Sequence, residues 1–417
     1  MQTKIREKIV LSDQTLRILS LYCNFNPFNL NVIRNFNFFQ YIFALLLLVE
    51  FIVVNCYVFI GLYYVINDFF AAVQLCIKVL CSIQIFVNTY RLSTKYDELR
   101  KLFDATSGDF LSSSHKGKYI FERYKSICTK ITNTYIFINL LGGLVWILNP
   151  LFLKKYPLKK RDGSLEIYRN NVVNSVLSFI PISIYDKIYP IVFVYEAIEI
   201  IHVIFDLIIY NTIVMKFCWM LSAQLNIIAF RCKSFECKNN EFGQGNDINN
   251  RINLKQLLSD HTKLNVSIKK FYEIMKPMTM YSFGYSFNVF IGLTYMFILN
   301  YFKSDHVLSV MSVKLFFAAL IDCNSLFIMC YFYSYLESQV REYNQINVVQ
   351  FAMYSVDWTA KSIKFKKMLL LAMNLNTTNK LKMEITPQKT INLEVFASAM
   401  RVSYSIVSLL AKKTNMK

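Results

Sequence analysis

Charge is in short supply in this 417-residue sequence. Only 18% of its residues are Asp, Glu, Lys or Arg, where soluble domains carry about 25%. Glycine is also scarce, at 10 residues. No GxxxxGK[ST] phosphate loop occurs, and no serine sits in a GxSxG context. The four histidines, His115, His202, His261 and His306, are isolated. They form neither an HExxH motif nor a Cys/His pairing at metal-ligand spacing. These absences argue against an enzyme, a metal site and any cofactor. No internal repeat of the kind that builds inverted-repeat transporters is visible either.

What fills the chain instead is apolar: 55% hydrophobic residues, with 36 Phe and 27 Tyr. They come in long blocks. Phe38 to Tyr64 holds one acidic residue and no basic one, a transmembrane-helix pattern. A single block of this kind could be a buried core helix, but the pattern recurs along the whole chain. A bilayer requires about 20 residues per helix. Seven spans of that order are expected, near 38–64, 69–91, 131–153, 188–218, 277–302, 307–336 and 390–411. The fourth and sixth have no Pro or Gly stop signal where their apolar runs fade at Leu225 and Leu336, so both are expected to continue as helices. The fold class is an all-α membrane protein.

Lys and Arg set the orientation. With the N-terminus cytoplasmic, the inner segments 1–37, 92–130, 219–276 and 337–389 carry most of the basic residues. The outer loop Lys154–Lys187 is basic too, but the inner total is larger. The net charge of +19 therefore reads as positive-inside loops and not as nucleic-acid binding. An odd span count then puts the C-terminus outside, opposite to a G-protein-coupled receptor. The second outer loop also has no Cys for the disulfide such receptors use, and Asn149–Leu153 (NPLFL) lacks the Tyr of an NPxxY motif. No G protein is expected as a partner.

Other features fit the same map. All ten cysteines fall in spans or on the cytoplasmic side, so no structural disulfide is expected. The sequons at Asn265 and Asn376 fall inside as well. Met1–Asn37 lacks the compact apolar region of a signal peptide, and Lys4–Leu21 suits a short amphipathic helix, on the membrane or in the cytosol. Glu199 and His202 lie one turn apart within the fourth span. Ionisable groups at that depth mark either a cavity-facing site or a packing pair bonded to a neighbouring helix.

The last third is the most specific. After the sixth span come "AMYSVDWTA", "FKKMLLLAMNL" and "ITPQKTINLEVFASAMRVSYSIVSLL". This order resembles the C-terminal signature of the insect odorant receptors. The residues that carry it are Tyr354, Ser355, Trp358, Lys366, Lys367, Leu393, Phe396, Ser403, Tyr404, Ser405, Leu409 and Leu410. Upstream, Pro181–Glu199 resembles the family's outer loop leading into the fourth helix, and His261–Phe271 its entry to the fifth. The family usually has a Gly before the terminal helix, where this chain has Pro387-Gln388-Lys389.

The resemblance implies a tetrameric, ligand-gated cation channel in the plasma membrane of sensory neurons, in contact with membrane lipid. It implies a divergent odour-binding subunit that assembles with a coreceptor subunit. The segment 1–37 would be cytoplasmic, 38–336 the ligand-binding bundle, 337–389 a cytoplasmic anchor, and 390–417 the pore helix with a short tail. Along the terminal helix, Phe396, Met400, Ser403, Val407 and Leu410 or Ala411 share one side at helical spacing. They are expected to line the pore, with Val407 at the family's gate position, closing it as a hydrophobic gate. Taken alone, the same helix also reads as a lipid-facing anchor ended by Lys412 and Lys413.

The family's pocket, for small volatile ligands, lies between the second, third, fourth and sixth spans. The positions expected there are Cys76, Val79, Leu80 and Ile83 on the second, and Asn139, Gly142 and Trp146 on the third. On the fourth they are Tyr195, Ile198, Glu199 and Ile201, and on the sixth Phe316, Leu320 and Asn324. Gly142 is expected to leave space beside the Trp146 indole. A gustatory receptor of the same architecture is the nearest alternative, though its terminal motif usually ends in Gln-Phe, which this chain lacks.

Overall fold

The computed structural model describes most of residues 38–345 and 382–415. Residues 1–37 and most of 346–381 lie outside the described residues, as do 66–67, 109, 112–114, 154, 175–179, 242–246, 304–309, 387–388 and 416–417. The Lys4–Leu21 segment, the Tyr354–Trp358 motif and most of the expected anchor therefore fall outside them.

The α-helices described are, in order, α1 (Phe38–Val65), α2 (Phe69–Thr94), the short α3 (Tyr96–Phe103), α4 (His115–Phe152), α5 (Ile182–Glu241), α6 (Asp247–Lys303), α7 (Val310–Gln345) and α8 (Leu393–Asn415). Among the described residues five stretches are long and apolar enough to cross a membrane: Phe69–Leu92, Gly117–Phe152, Lys255–Asn300, Met311–Arg341 and Leu393–Leu410. The remaining two expected spans coincide with α1, whose Phe51–Val65 is a shorter apolar stretch, and with α5. In α5 the apolar run is interrupted by Glu196, Glu199, Asp206 and Lys216. The protein is thus a multi-pass, all-α membrane protein.

Several helices are longer than the sequence reading gives. α5 has 60 residues, about 90 Å at 1.5 Å per residue, where the bilayer core is about 30 Å thick. It passes Leu225 unbroken, and α7 passes Leu336 in the same way. α5 also begins earlier than expected, at Ile182, so Pro181–Glu199 is helix almost throughout, with Pro190 inside it. α6 starts at Asp247 and carries Pro277 within its length. A proline removes one backbone N–H donor from a helix, and packing by neighbouring helices lets a bundle tolerate it.

The segment between α4 and α5 folds into an antiparallel hairpin, β1 (Lys155–Lys159) with β2 (Leu165–Arg169), in the register Lys155↔Arg169. Its turn requires Gly163, at φ +86°, a backbone region that side-chain-bearing residues avoid. Alternation sends Tyr156, Leu158 and Tyr168 inward, onto Val54, Val58, Tyr185 and Tyr189. The Arg161 N–H donates to Tyr64 O at 2.8 Å, and Tyr185 OH donates to Arg169 O at 3.2 Å. Asp68 serves twice at this corner, capping α2 through the Ala71 N–H (3.2 Å) and accepting from the Lys159 N–H (3.2 Å).

The main core lies further along the bundle, where α4, α5, α6 and α7 converge. Phe217 packs on Phe103 (4.9 Å between centroids) and Phe271 (5.1 Å), and the hydroxyls of Thr279 and Tyr333 meet at 2.9 Å. A second small hairpin, β3 (Glu384–Thr386) with β4 (Lys389–Thr390), leads into α8. The Asn392 side chain caps that helix by accepting from the Val395 N–H at 3.0 Å.

Candidate functional site

Beside the hairpin cluster and a third cluster, in which Tyr285, Val289, Leu293 and Met296 of α6 pack with Met311 and Leu315 of α7, lies a cavity of about 320 Å³, within the range of small-molecule sites. Its wall is mostly apolar. α1 contributes Phe51 and Val54, α2 contributes Ile77 and Ile85, α6 contributes Val289 and Leu293, and α7 contributes Ala318 and Ile321. α4 brings Gly142, Gly143 and Trp146, and α5 brings Val203, Ile204 and Leu207.

A few polar groups interrupt that wall: Lys78, Glu199, His202, Tyr285 and Asp322 among them. Lys78 Nζ donates to Glu199 Oε2 at 2.5 Å, with both side chains buried. Tyr57 OH donates to the other oxygen at 3.1 Å, and the Lys78 ammonium lies 4.6 Å from the Tyr57 ring centre. Glu199 therefore reaches across to α2 and α1, not along its own helix to His202. Burying two charges is tolerated only when both are paired and hydrogen-bonded, and here both are.

The segment 170–174, which follows β2, borders the cavity. Val173 reaches the wall. The backbone carbonyl of Val172 accepts from Trp146 Nε1 (3.0 Å) and from Lys314 Nζ (2.8 Å), and Lys314 lies 4.3 Å from the Trp146 ring centre. Glu196 accepts from the backbone N–H groups of Val173 (2.7 Å) and Asn174 (3.1 Å). Asn174 itself has φ +59°, a conformation Asn tolerates better than most residues.

Of the positions expected for ligand contact, Gly142, Trp146 and Glu199 line the cavity. The rest do not. Cys76, Val79, Leu80 and Ile83 lie on other sides of α2, whose cavity side is Gln74, Lys78, Cys81 and Ile85. Tyr195, Ile198 and Ile201 are off the wall of α5, with Ile198 and Ile201 exposed. On α7, Phe316 and Leu320 are half exposed and Asn324 is one turn past the wall. Asn139 is buried and donates to Tyr135 O at 2.8 Å. Gly142 does not leave open space beside the indole. A Cβ there would come within 2.0 Å of Ile321 Cδ1, so the Ile321 side chain already occupies that room.

The side expected to line a pore is the side α8 buries against its own chain. Phe396 packs edge-on against Phe327 of α7 at 5.5 Å, and Met400 Sδ lies 4.0 Å from Cys323 Sγ. Ser403 is 1% exposed and Val407 5%. Leu410 is half buried, and Ala411 follows it in the helix. The opposite side is open, with Tyr404 76% and Leu409 71% exposed. Packing on both α6 and α7 sets the rotation of α8, which spacing alone leaves free.

Sequence reasoning passed over Lys78 and Asp322. The signal that finds them is an ionisable residue inside an apolar span. Among the described residues no three His, Cys, Asp or Glu side chains are grouped to hold a metal ion.

The comparisons agree with this architecture. No curated protein matches the chain. The insect olfactory receptor OR5 from Machilis hrabei, solved in complex with eugenol, superposes with a TM-score of 0.72 over 96% of this chain and 97% of that one, at 14% identity. A second structure of that receptor gives 0.67 over 96% of both chains, also at 14%. At that identity the likeness shows the fold alone. The family model described as 7tm odorant receptor matches residues 65–404, and the chain therefore belongs to the odorant receptor family, as a multi-pass plasma-membrane protein.

Proposed function

We propose that this chain is the odorant-binding subunit of a ligand-gated, non-selective cation channel, assembled as a heterotetramer with a coreceptor. Seven helices cross the membrane of a sensory neuron, with the N-terminus cytoplasmic and the C-terminus extracellular. Residues 38–336 hold the ligand, 337–389 form the cytoplasmic anchor, and 390–417 supply the pore helix and its tail. A small volatile ligand with a largely apolar body binds in the cavity and opens the channel without a G protein.

One observation carries the reading: neighbouring residues of α7 face the two working parts. Ile321 and Asp322 line the cavity, and Cys323 touches Met400 of α8. A ligand that fits the cavity better in the open arrangement shifts α7, and α7 shifts α8. Equal affinity for both states would shift nothing. Because α8 turns the half-buried Phe396 and Met400 and the buried Ser403 and Val407 inward, its exposed side, with Val402, Tyr404 and Leu409, is the side available to a pore shared between subunits.

The test is whole-cell current under odorant panels, with the chain expressed alone and with an insect odorant coreceptor. Rapid current that appears with the coreceptor and survives G-protein block supports the reading. A response carried only by second messengers, or surface protein that never conducts, refutes it.

A further inference from the structure

The cavity wall carries one lysine, Lys78, against two carboxylates, Glu199 and Asp322. Glu199 is satisfied by Lys78 and Tyr57. A third carboxylate just beyond the wall, Asp206, accepts from Asn88 Nδ2 at 2.9 Å. Asp322 differs from both. It is 4% exposed, lines the cavity, and has no hydrogen-bond or ion-pair partner among the described residues. It lies within electrostatic reach of Cys81 and Tyr285, whose Sγ and OH contact each other at 3.4 Å.

A buried carboxylate without a partner is strongly unfavourable, the more so inside a bilayer. What relieves it from the cavity side is a group that donates hydrogen bonds and brings one positive charge. A metal ion is poorly suited, because no three metal-ligating side chains are grouped among the described residues. An organic cation needs only one carboxylate and an apolar wall for its carbon skeleton. The wall supplies that with Ile77, Ile204, Val289 and Leu293.

We propose that Asp322 anchors the ligand and that the ligand is a small organic amine, bound as its ammonium with an N–H donating to the Asp322 carboxylate. The inference rests on the cavity being the ligand site. Charge-assisted hydrogen bonds are stronger than neutral ones, so an amine outcompetes an alcohol of the same skeleton.

The experiment is a set of concentration–response curves, with the coreceptor present, for hexylamine against hexanol and cyclohexylamine against cyclohexanol. The wild type responds to each amine at roughly tenfold lower concentration than to its alcohol. Asp322→Asn loses that preference, its amine and alcohol curves falling together, while Asp322→Glu retains it. A wild type that prefers the alcohols, or an Asp322→Asn variant with the amine preference intact, overturns the inference. Should Asp322→Asn not reach the surface, thermal unfolding of the purified wild-type chain decides. A larger stabilisation by cyclohexylamine than by cyclohexanol supports it, and an equal or smaller one overturns it. Gly142→Leu separates this inference from the cavity reading beneath it. If that variant reaches the surface and silences amines and alcohols alike, the cavity is the ligand site whatever Asp322 does. If all responses survive, the cavity reading falls and the amine inference with it.

Discussion

Lys78 and Glu199 lie 121 positions apart and meet at 2.5 Å inside the helix bundle. The bond ties α2 to α5 across the cavity, and Tyr57 adds α1 to the same carboxylate. Three helices that bury mostly interchangeable aliphatic side chains thus gain a fixed register. Removing one partner leaves an unpaired charge in a low-dielectric site, and breaking such a pair costs about 3–5 kcal/mol. Lys78→Met and Glu199→Gln are each expected to lower the thermal unfolding temperature of the detergent-purified protein. The double variant should recover much of the loss, because a neutral pair of similar volume leaves no charge stranded. Equal destabilisation in single and double variants would show that the two residues do not act as a unit.

Gly142 tests the cavity's size. An added Cβ would sit 2.0 Å from Ile321 Cδ1, the far end of a flexible side chain, so Ile321 must turn aside. Gly142→Ala is expected to fold and to raise the effective concentration of the bulkiest ligands most. Gly284→Ala is the control. Nothing lies within 4 Å of its Cβ position, and exchanging a helical Gly for Ala is worth up to about 1 kcal/mol in its favour. If the two variants shift ligand potency alike, Ile321 is not a wall that ligands feel.

The contrast between these helices and their sides explains what was legible in the sequence. Existence and approximate place of the long helices follow from apolar runs, since a bilayer imposes a length on each. Rotation does not, because lipid and bundle interior are both apolar. Val79 and Lys78 are neighbours on α2, yet the aliphatic one was expected at the ligand site and it is the charged one that lines the cavity. The elements chosen for the site were α2, α4, α5 and α7, and all of them reach the cavity, together with α1 and α6. Three individual positions were legible: Glu199, costly in lipid, Trp146, whose indole N–H needs an acceptor and finds it at Val172, and Gly142, one turn before Trp146 on the same helix. The β1–β2 hairpin was read as a loop. Its inward positions alternate over strands of five residues, with Pro157 in the first, too short and too interrupted a pattern beside the surrounding apolar runs.

That hairpin gives a pH prediction. The Glu166 carboxyl is held below its ordinary value of 4.5 first by the Lys160 ammonium, at 2.7 Å, and then by Tyr168 OH, at 2.6 Å. A carboxyl lowered by folding stabilises the folded form in full above the unfolded value, and that contribution disappears as pH falls through the lowered one. Amide exchange across 160–169, corrected for the intrinsic pH dependence of exchange, should rise in acid below that range. Glu166→Gln should remove the acid-specific part and leave the neutral-pH rates slightly raised. A wild-type profile without an acid rise would mean that the pair holds nothing together. The site is partly exposed, so the effect is small and weakens with salt.

The terminal helix offers the sharpest test, because its two sides make opposite predictions. Packing against α6 and α7 buries Ser403 and Val407 and leaves Tyr404 and Leu409 open. Cysteines placed at 404 and 409, in channels assembled with the coreceptor, should react with a charged thiol reagent and change the current as they do. A cysteine at 407 should react far more slowly in the closed state, since the α6–α7 side must part before a reagent reaches it. Hydrophobic truncation separates the roles as well. Val407→Ala opens a cavity in packing within the subunit, costing about 0.5–1.5 kcal/mol per methyl-scale loss, and should lower stability more than it alters conduction. Leu409→Ala shortens a side chain that is 71% exposed and should do the reverse. Rapid modification at 407 with protection at 404 and 409 would mean that α8 turns about its axis on assembly, and that the helix side expected from spacing alone faces the pore after all.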